Sequence, residues 1–86
     1  MAEPVDITVY SRENCHLCGV ALNRIESVSE ETGIAVDIEE IQIDDNPELE
    51  AEYGDRVPVV YIDDELEFTY TVDTDELATI LKAVDE

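Results

Sequence analysis

The chain has 86 residues, 24 of them acidic and four basic, and its formal net charge of −20 at pH 7 excludes nucleic acid as a partner. Hydrophobic residues make up 44% of the chain, which argues against a disordered acidic protein, because disorder requires low hydrophobicity as well as high charge. No segment approaches the roughly 20 apolar residues that span a bilayer, and no linker or repeat divides the chain, so we expect one domain over residues 1–86 without membrane contact.

The first half of the chain predicts a strand, a long helix and a second strand. Residues 5–10 alternate between apolar and polar side chains, as a half-buried strand does. From Cys15 the pattern is helical and ends before Gly33, with apolar residues at spacings of three and four: Leu17, Val20, Ala21, Ile25 and Val28. Residues 34–43 are rich in residues that favour strands, but their alternation of apolar and polar side chains shifts by one position. This shift predicts a bulge or a late strand start near Glu39–Glu40.

The second half predicts a short helix, two strands and a final helix. Asn46–Pro47 is typical of a helix start, and this helix should end at Gly54. A third strand over residues 57–62 and a turn at Asp63–Asp64 follow. The fourth strand should place three side chains on one face: Leu66, Phe68 and Tyr70. Asp73–Glu76 supplies capping groups for a last helix whose apolar stripe is Leu77, Ile80, Leu81 and Val84.

The two cysteines of the chain form the C-x-x-C pair Cys15 and Cys18 at the predicted strand-to-helix junction. The first turn of a helix presents unpaired N–H groups and the positive end of the helix dipole, which together stabilise a thiolate. Arg12 adds a positive charge nearby. Because Cys15 lies at the helix start and Cys18 one turn inside, we assign Cys15 as the attacking nucleophile and Cys18 as the resolving cysteine.

The sequence also allows other roles for the two cysteines. A structural disulfide would close a loop of only four residues and remove little entropy from the unfolded chain. A closed zinc site needs four ligands, and one chain offers two thiols and His16. Two chains could share a metal ion or an iron–sulfur cluster through their cysteine pairs, so a metal or cluster carrier is the alternative function. A third alternative is an interaction module with incidental thiols.

The C-x-x-C motif, followed further along the chain by Val57-Pro58, resembles the thioredoxin fold and most closely the small glutaredoxin-like proteins. The resemblance covers nearly the whole chain, and its motifs lie in three segments: residues 10–18, 56–60 and 73–77. It implies an α/β, thioredoxin-like (glutaredoxin-like) fold of order βαβ-α-ββα. The expected sheet has four strands, is mixed, is ordered 2-1-3-4 and carries helices on both faces.

The same resemblance implies a thiol–disulfide oxidoreductase that reduces protein or low-molecular-weight disulfides. No bound cofactor is expected, and glutathione or another small thiol is a candidate electron donor. The bond before Pro58 should be cis, and the backbone of Val57 should pair with an incoming substrate. The candidate substrate-binding residues are Arg12, His16, Val57, Pro58 and Asp73.

The chain departs from the family pattern at several positions. His16-Leu17 stands where glutaredoxins usually have Pro-Tyr, and a protonated His16 could stabilise the Cys15 thiolate. Thr71-Val72 replaces a Gly-Gly pair of the glutathione site, so we expect their side chains to occupy ligand space, which weakens the case for glutathione. Arg12 and Arg56 either anchor a carboxylate-bearing thiol or an acidic protein, or pair with surrounding carboxylates.

The acidic composition also predicts where the protein works. We interpret it as adaptation to a salt-rich cytosol of a halophile, because about 1 M salt shortens the Debye length to about 3 Å and screens self-repulsion. Residues Met1–Pro4 lack the basic and apolar regions of a secretory leader. We therefore expect a cytoplasmic protein, acting as a monomer on disulfide-containing proteins or small thiols.

Overall fold

A computed structural model describes residues 3–85 and shows the predicted βαβ-α-ββα order. The strands are β1 (Val5–Ser11), β2 (Val36–Gln42), β3 (Val59–Ile62) and β4 (Glu65–Thr69). The helices are α1 (His16–Thr32), α2 (Pro47–Tyr53) and α3 (Thr74–Asp85). None of these helices is long and apolar enough to cross a membrane. The prediction about a leader at Met1–Pro4 lies partly outside the described residues.

The four strands form one mixed sheet in the order β2-β1-β3-β4, which confirms the predicted topology. Strand β1 runs parallel to β2 and antiparallel to β3, and β3 pairs with β4 as an antiparallel hairpin. The hairpin turn has two residues, Asp63 and Asp64, with φ angles of 53° and 69°. Both lie in the left-handed region that a primed turn requires and that aspartate tolerates without glycine.

The hydrophobic core lies between one face of the sheet and helices α1 and α3. Alternate residues of β1 and β3 point into it, and α1 and α3 supply the opposite side. Its fully buried members include Ile7, Val9, Ile25, Val60, Ile62, Leu77 and Leu81. The last turn of α3 lies beyond this core, so Val84 is exposed although the sequence places it in the buried stripe.

Helix α2 covers part of the opposite sheet face through tyrosine side chains. The ring of Tyr53 stacks on that of Tyr10 at a centroid distance of 4.5 Å, and its hydroxyl lies 3.1 Å from that of Tyr61. The hydrogen bond with Tyr61, and secondarily desolvation, raises the pKa of Tyr53 above its ordinary range. Helices therefore lie on both faces of the sheet, as predicted.

Helix α1 buries a slightly different stripe from the one the sequence predicts. Its buried residues are Cys18, Ala21, Ile25 and Val28, whereas Leu17 is 49% exposed. Leu17 precedes Cys18, so it points about 100° away around the helix axis and towards solvent. At the other end Gly33 adopts a φ of 71°, and its N–H caps the helix by donating to the carbonyl of Ser29.

The bulge or late strand start predicted near Glu39–Glu40 is wrong, because β2 begins at Val36 and pairs with β1 without interruption to Gln42. The alternation of apolar residues breaks because Glu40 lies on the same face of the sheet as Val36 and Ile38. An apolar residue would normally fill the position of Glu40. The carboxylate of Glu40 accepts a hydrogen bond from the buried hydroxyl of Ser11 at 2.8 Å. A polar partner thus replaces the missing apolar contact.

The bulge lies instead in β4, where Val60 pairs with Phe68 but Tyr61 pairs with Leu66. The extra residue, Glu67, turns Leu66 to the opposite face from Phe68. Phe68 is buried, Leu66 is 50% exposed, and Tyr70 lies beyond the strand with a φ of 70°. The prediction that Leu66, Phe68 and Tyr70 share a face is therefore wrong.

Candidate active site

The sulfur of Cys15 occupies the N-cap position of α1. Cys15 has extended backbone angles (φ −93°, ψ 102°), and its Sγ accepts a hydrogen bond from the N–H of Cys18 at 3.1 Å. An oxygen of serine or aspartate usually fills this position and satisfies one of the unpaired N–H groups of the first turn. The fold thus places the sulfur where a helix stabilises a negative charge.

The first turn of α1 contains no acidic residue, although acidic residues are abundant in this chain. The other two helices follow the usual pattern, with Glu48 and Glu50 in the first turn of α2 and Asp75 and Glu76 in that of α3. A carboxylate in this turn would repel a thiolate at Cys15. The first turn of α1 therefore leaves its N–H groups to the sulfur, and the carboxylates around the sulfur come from outside α1: Glu13 in the preceding loop and Glu40 on β2.

Cys15 and Cys18 form a disulfide with a Cα–Cα distance of 5.3 Å. Cys18 is only 3% exposed and Cys15 is partly exposed, the order of accessibility that the sequence predicts. Both sulfur-bearing residues border an open cleft of about 620 Å³. The cleft lies between the start of α1 and the end of β2, and it is lined by Arg12, Glu13, Asn14, Cys15, His16, Cys18, Gly19, Leu22, Glu40 and Gln42.

Arg12 lies beside the disulfide, but its guanidinium is engaged by the protein itself. It forms ion pairs at 3.7 Å with Asp44 and with Glu50, and it donates a hydrogen bond to the carbonyl of Gly54 at 3.1 Å. These contacts tie the loop before Cys15 to α2. The alternative in which Arg12 pairs with surrounding carboxylates is thus the one that the structure shows.

The other candidate binding residues lie at separate places around the disulfide. His16 is exposed in the first turn of α1 and lines the cleft. Arg56 is exposed and donates a hydrogen bond to the carbonyl of Glu52. The carboxylate of Asp73 accepts a hydrogen bond from the N–H of Glu76 at 3.1 Å, so it caps α3.

The Val57–Pro58 peptide bond is cis, as the resemblance implies. Pro58 is buried, and its carbonyl accepts a hydrogen bond from the N–H of Tyr70 at 3.0 Å. Val57 precedes β3, which begins only at Val59, later than the sequence predicts, because proline lacks the N–H that strand pairing uses. Among residues 3–85, none forms a hydrogen bond with the backbone N–H or C=O of Val57.

The segment Thr71–Val72 is held by a residue that the sequence did not single out, Arg24. Its guanidinium donates hydrogen bonds of 2.9 Å to the hydroxyl of Thr71 and to the carbonyl of Val72. The side chain of Val72 is 1% exposed and belongs to the core, so the expectation that it occupies ligand space is wrong. Only the side chain of Thr71 points outward, and no local sequence pattern indicates its contact with α1.

Glu40 is the second residue that the sequence reasoning missed as part of the site. It lines the cleft together with both cysteines, while its carboxylate holds the hydroxyl of Ser11. The slip in apolar period near Glu39–Glu40 was the available signal, since it marks a charged residue on a core-facing position.

The described residues contain no group of three or more histidine, cysteine, aspartate or glutamate side chains arranged to hold a metal ion. Within one chain, Cys15 and Cys18 can supply two thiolates to a metal. A shared centre would need two further ligands from another chain.

Comparisons with known proteins agree with this geometry. Residues 6–82 match the family model described as Glutaredoxin-like domain (DUF836). An uncharacterized protein of Mycobacterium tuberculosis is 32% identical over 66 residues, which cover 73% of this chain and 67% of the relative. The X-ray structure of the target protein XcR50 from X. campestris has a TM-score of 0.75 at 32% identity, covering 90% of this chain and 96% of that one.

A chloroplastic thioredoxin z has a TM-score of 0.68 at 18% identity, with 94% of this chain and 78% of that chain covered. This likeness concerns the fold alone. Together with the strand order β2-β1-β3-β4, it shows the thioredoxin-like α/β fold that the sequence predicts.

Proposed function

Since the chain belongs to the glutaredoxin-like domain family, we propose that it is a cytoplasmic thiol–disulfide oxidoreductase that reduces disulfides with the Cys15–Cys18 pair. The family and the thioredoxin-like fold fit a redox role. The single observation that carries the proposal is the position of the Cys15 sulfur at the N-cap of α1, where it accepts the N–H of Cys18.

The reaction follows from the different exposure of the two sulfurs. The Cys15 thiolate attacks a substrate disulfide, so that a bond from Cys15 to one substrate sulfur forms, the substrate S–S bond breaks, and the other substrate sulfur leaves as a thiolate. Cys18 then loses its proton to solvent and attacks the Cys15 sulfur. The Cys15–Cys18 disulfide forms and the second substrate sulfur leaves as a thiolate.

Two electrons thereby pass from the protein dithiol to the substrate. Two molecules of a small thiol return them and leave as a disulfide, which restores the dithiol. Glutathione is one such thiol. The backbone of Val57 is suited to orient the substrate, because its N–H and C=O have no partner among residues 3–85 and it directly precedes Pro58. A strand-like segment could pair with it.

The ionisation of Cys15 is the first test. We expect the pKa of the reduced Cys15 thiol to lie below its ordinary value of about 8.5, within the range of roughly 3.5 to 7.5 found at helix N-termini. The thiolate absorbance of the reduced protein, followed against pH, measures it. Cys15→Ser should remove the low-pH transition, and Cys18→Ser should leave it in place.

Activity of the same two variants is the second test. Cys15→Ser should abolish reduction of a small aromatic disulfide, while Cys18→Ser should accumulate a mixed disulfide visible by mass spectrometry. Activity that survives in Cys15→Ser, together with an unperturbed Cys15 thiol, would refute the proposal. The carrier alternative predicts instead, in protein purified without oxygen, either bound iron with visible absorbance or bound zinc without it.

A further inference from the structure

The cleft beside the disulfide continues along the protein as a groove between α1 and β2. The cleft ends at Gly19 and Leu22 on the helix and at Glu40 on the strand. A second cleft, of about 360 Å³, begins one turn further along α1 and two residues back along β2. It is lined by Glu26, Ser29, Glu30, Val36 and Ile38.

The two clefts lie one after the other along the same two elements, since residues of both α1 and β2 line each of them. Strand β2 is an edge strand, and its residues between Val36 and Gln42 span about 20 Å at roughly 3.3 Å per residue. We name this surface the α1/β2 groove. It is long enough for about six residues of an extended chain, and one end of it lies at the Cys15–Cys18 disulfide.

The α1/β2 groove has an apolar floor and an acidic border. Leu22, Val36 and Ile38 are partly buried and pack against the core, so they form the floor. Glu26 and Glu30 on α1 are exposed, and Glu40 on β2 is exposed as well. This arrangement suits a segment that carries both apolar and positively charged side chains.

Among residues 3–85, no ion pair involves Glu26, Glu30 or Glu40. Arg12 lines the disulfide end of the groove, but both of its ion pairs are made with Asp44 and Glu50, which lie outside the groove lining. Arg24 lies elsewhere on α1, bound to Thr71 and Val72. An incoming cation would therefore meet carboxylates without displacing a cation of the protein.

We propose that the α1/β2 groove binds an extended segment of a disulfide-bearing protein substrate, one with apolar and basic residues flanking its cysteine. This inference rests on the proposed oxidoreductase function and assigns it a substrate class. The disulfide end of the groove receives the substrate cysteine, and the flanking residues lie over Leu22 and Ile38 towards Glu26 and Glu30. A second copy of this chain, at a net charge of −20, is repelled by the same border.

The test compares two disulfide-linked peptides of equal length that differ only in their charged residues. One carries lysine and the other glutamate at the positions flanking the cysteine, with the same apolar residues between them. The measured quantity is kcat/KM for each peptide relative to kcat/KM for a small aromatic disulfide, at the lowest salt in which circular dichroism shows the fold. We expect the lysine peptide to be preferred by roughly fivefold, the effect of two exposed ion pairs.

Charge variants on α1 locate the origin of this preference. Glu26→Gln combined with Glu30→Gln should abolish most of it. Glu31→Gln combined with Glu39→Gln is the matched control, because it also removes two charges and both residues are exposed but line neither cleft. This control should retain the preference. Equal rates for the two peptides in the parent protein would overturn the inference, and so would an equal loss of preference in the control, because that loss would reflect overall charge.

A steric variant tests the groove without changing charge. Gly19 borders the cleft, and a Cβ added there meets no atom within 4 Å, so a larger side chain projects into open space. Gly19→Phe should slow both peptides more than the small disulfide, whereas Ser27→Phe, elsewhere on α1, should not. Equal effects of the two variants would overturn the inference.

These results separate the inference from the function on which it rests. If the small disulfide is reduced in a Cys15-dependent reaction but the peptides show no groove-dependent preference, only the groove assignment fails. If no Cys15-dependent reduction occurs at all, the proposed function fails and the substrate class fails with it.

Discussion

Replacing glycine by alanine should change the stability of the protein in opposite directions at the two ends of α1. Gly19 lies in the helix without an unusual φ, and an added Cβ meets no atom within 4 Å. Alanine loses less backbone entropy on folding than glycine, so Gly19→Ala should stabilise the protein by about 0.5–1 kcal/mol. For a domain of this size such a gain raises Tm by roughly 2–8 °C.

Gly33 is the matched position at the other end, where a Cβ also meets no atom within 4 Å but φ is 71°. An L-residue pays about 1–2 kcal/mol in that left-handed conformation, so Gly33→Ala should destabilise the protein. Because an added Cβ meets no atom at either site, the opposite signs of the two stability changes would reflect backbone conformation alone.

Urea unfolding of the oxidised protein, followed by far-ultraviolet circular dichroism, measures both changes as free energies of unfolding. The salt concentration must be the same for all three proteins. A destabilising Gly19→Ala, or a Gly33→Ala that is as stable as the parent, would refute the reasoning.

Three further predictions concern the core, pH and salt. Phe68→Ala should cost about 3–5 kcal/mol in urea unfolding, whereas Leu66→Ala should change stability by less than about 0.5 kcal/mol, because the bulge at Glu67 turns Leu66 to solvent. Because the pKa of Tyr53 is raised above its value of 10 in the unfolded chain, its neutral hydroxyl contributes stability below pH 10 that is lost as the pH rises further. Tyr53→Phe should therefore make the free energy of unfolding fall less steeply at alkaline pH. Dilution from about 1 M to about 0.1 M salt should lower Tm, because the charge of −20 is then less screened.

Each of these has a result that contradicts it. Equal losses in the Phe68 and Leu66 variants would place both side chains on one face of β4. An alkaline unfolding profile identical in the parent and in Tyr53→Phe would show that the contact with Tyr61 does not carry the effect; tyrosinate absorbance checks the titration directly. A Tm that stays constant across the salt series would argue against adaptation to high salt.

Local signals in the sequence were sufficient to predict the order of the helices and strands and the position of the Cys15 sulfur at the start of α1. Gly33 ends α1 because its φ of 71° suits glycine, and Asn46 begins α2 because its side chain accepts the N–H groups of Glu48 and Leu49. The spacing of Cys15 and Cys18 places one sulfur at the N-cap and the other in the first turn. These features depend on neighbours within a few residues, so the sequence determines them.

The tertiary structure decided what depends on distant neighbours. The sequence shows a slip in period at Glu40, but only the pairing of β1 with β2 explains it through Ser11, 29 residues away. The bulge that turns Leu66 outward depends on the register of β3 against β4. The contact of Arg24 with Thr71 and Val72, 47 and 48 residues away, carries no local pattern at all.

The same division holds for the candidate site. The sequence determined the charge, the spacing of Cys15 and Cys18 at the helix start and their order of exposure, and the structure shows that they form a disulfide. The α1/β2 groove exists only because α1 folds back beside an edge strand, which brings Leu22 and Glu26 next to Ile38 and Glu40. A cleft forms where two elements pack beside each other, and the pattern of apolar residues within one element does not specify which element will lie next to it.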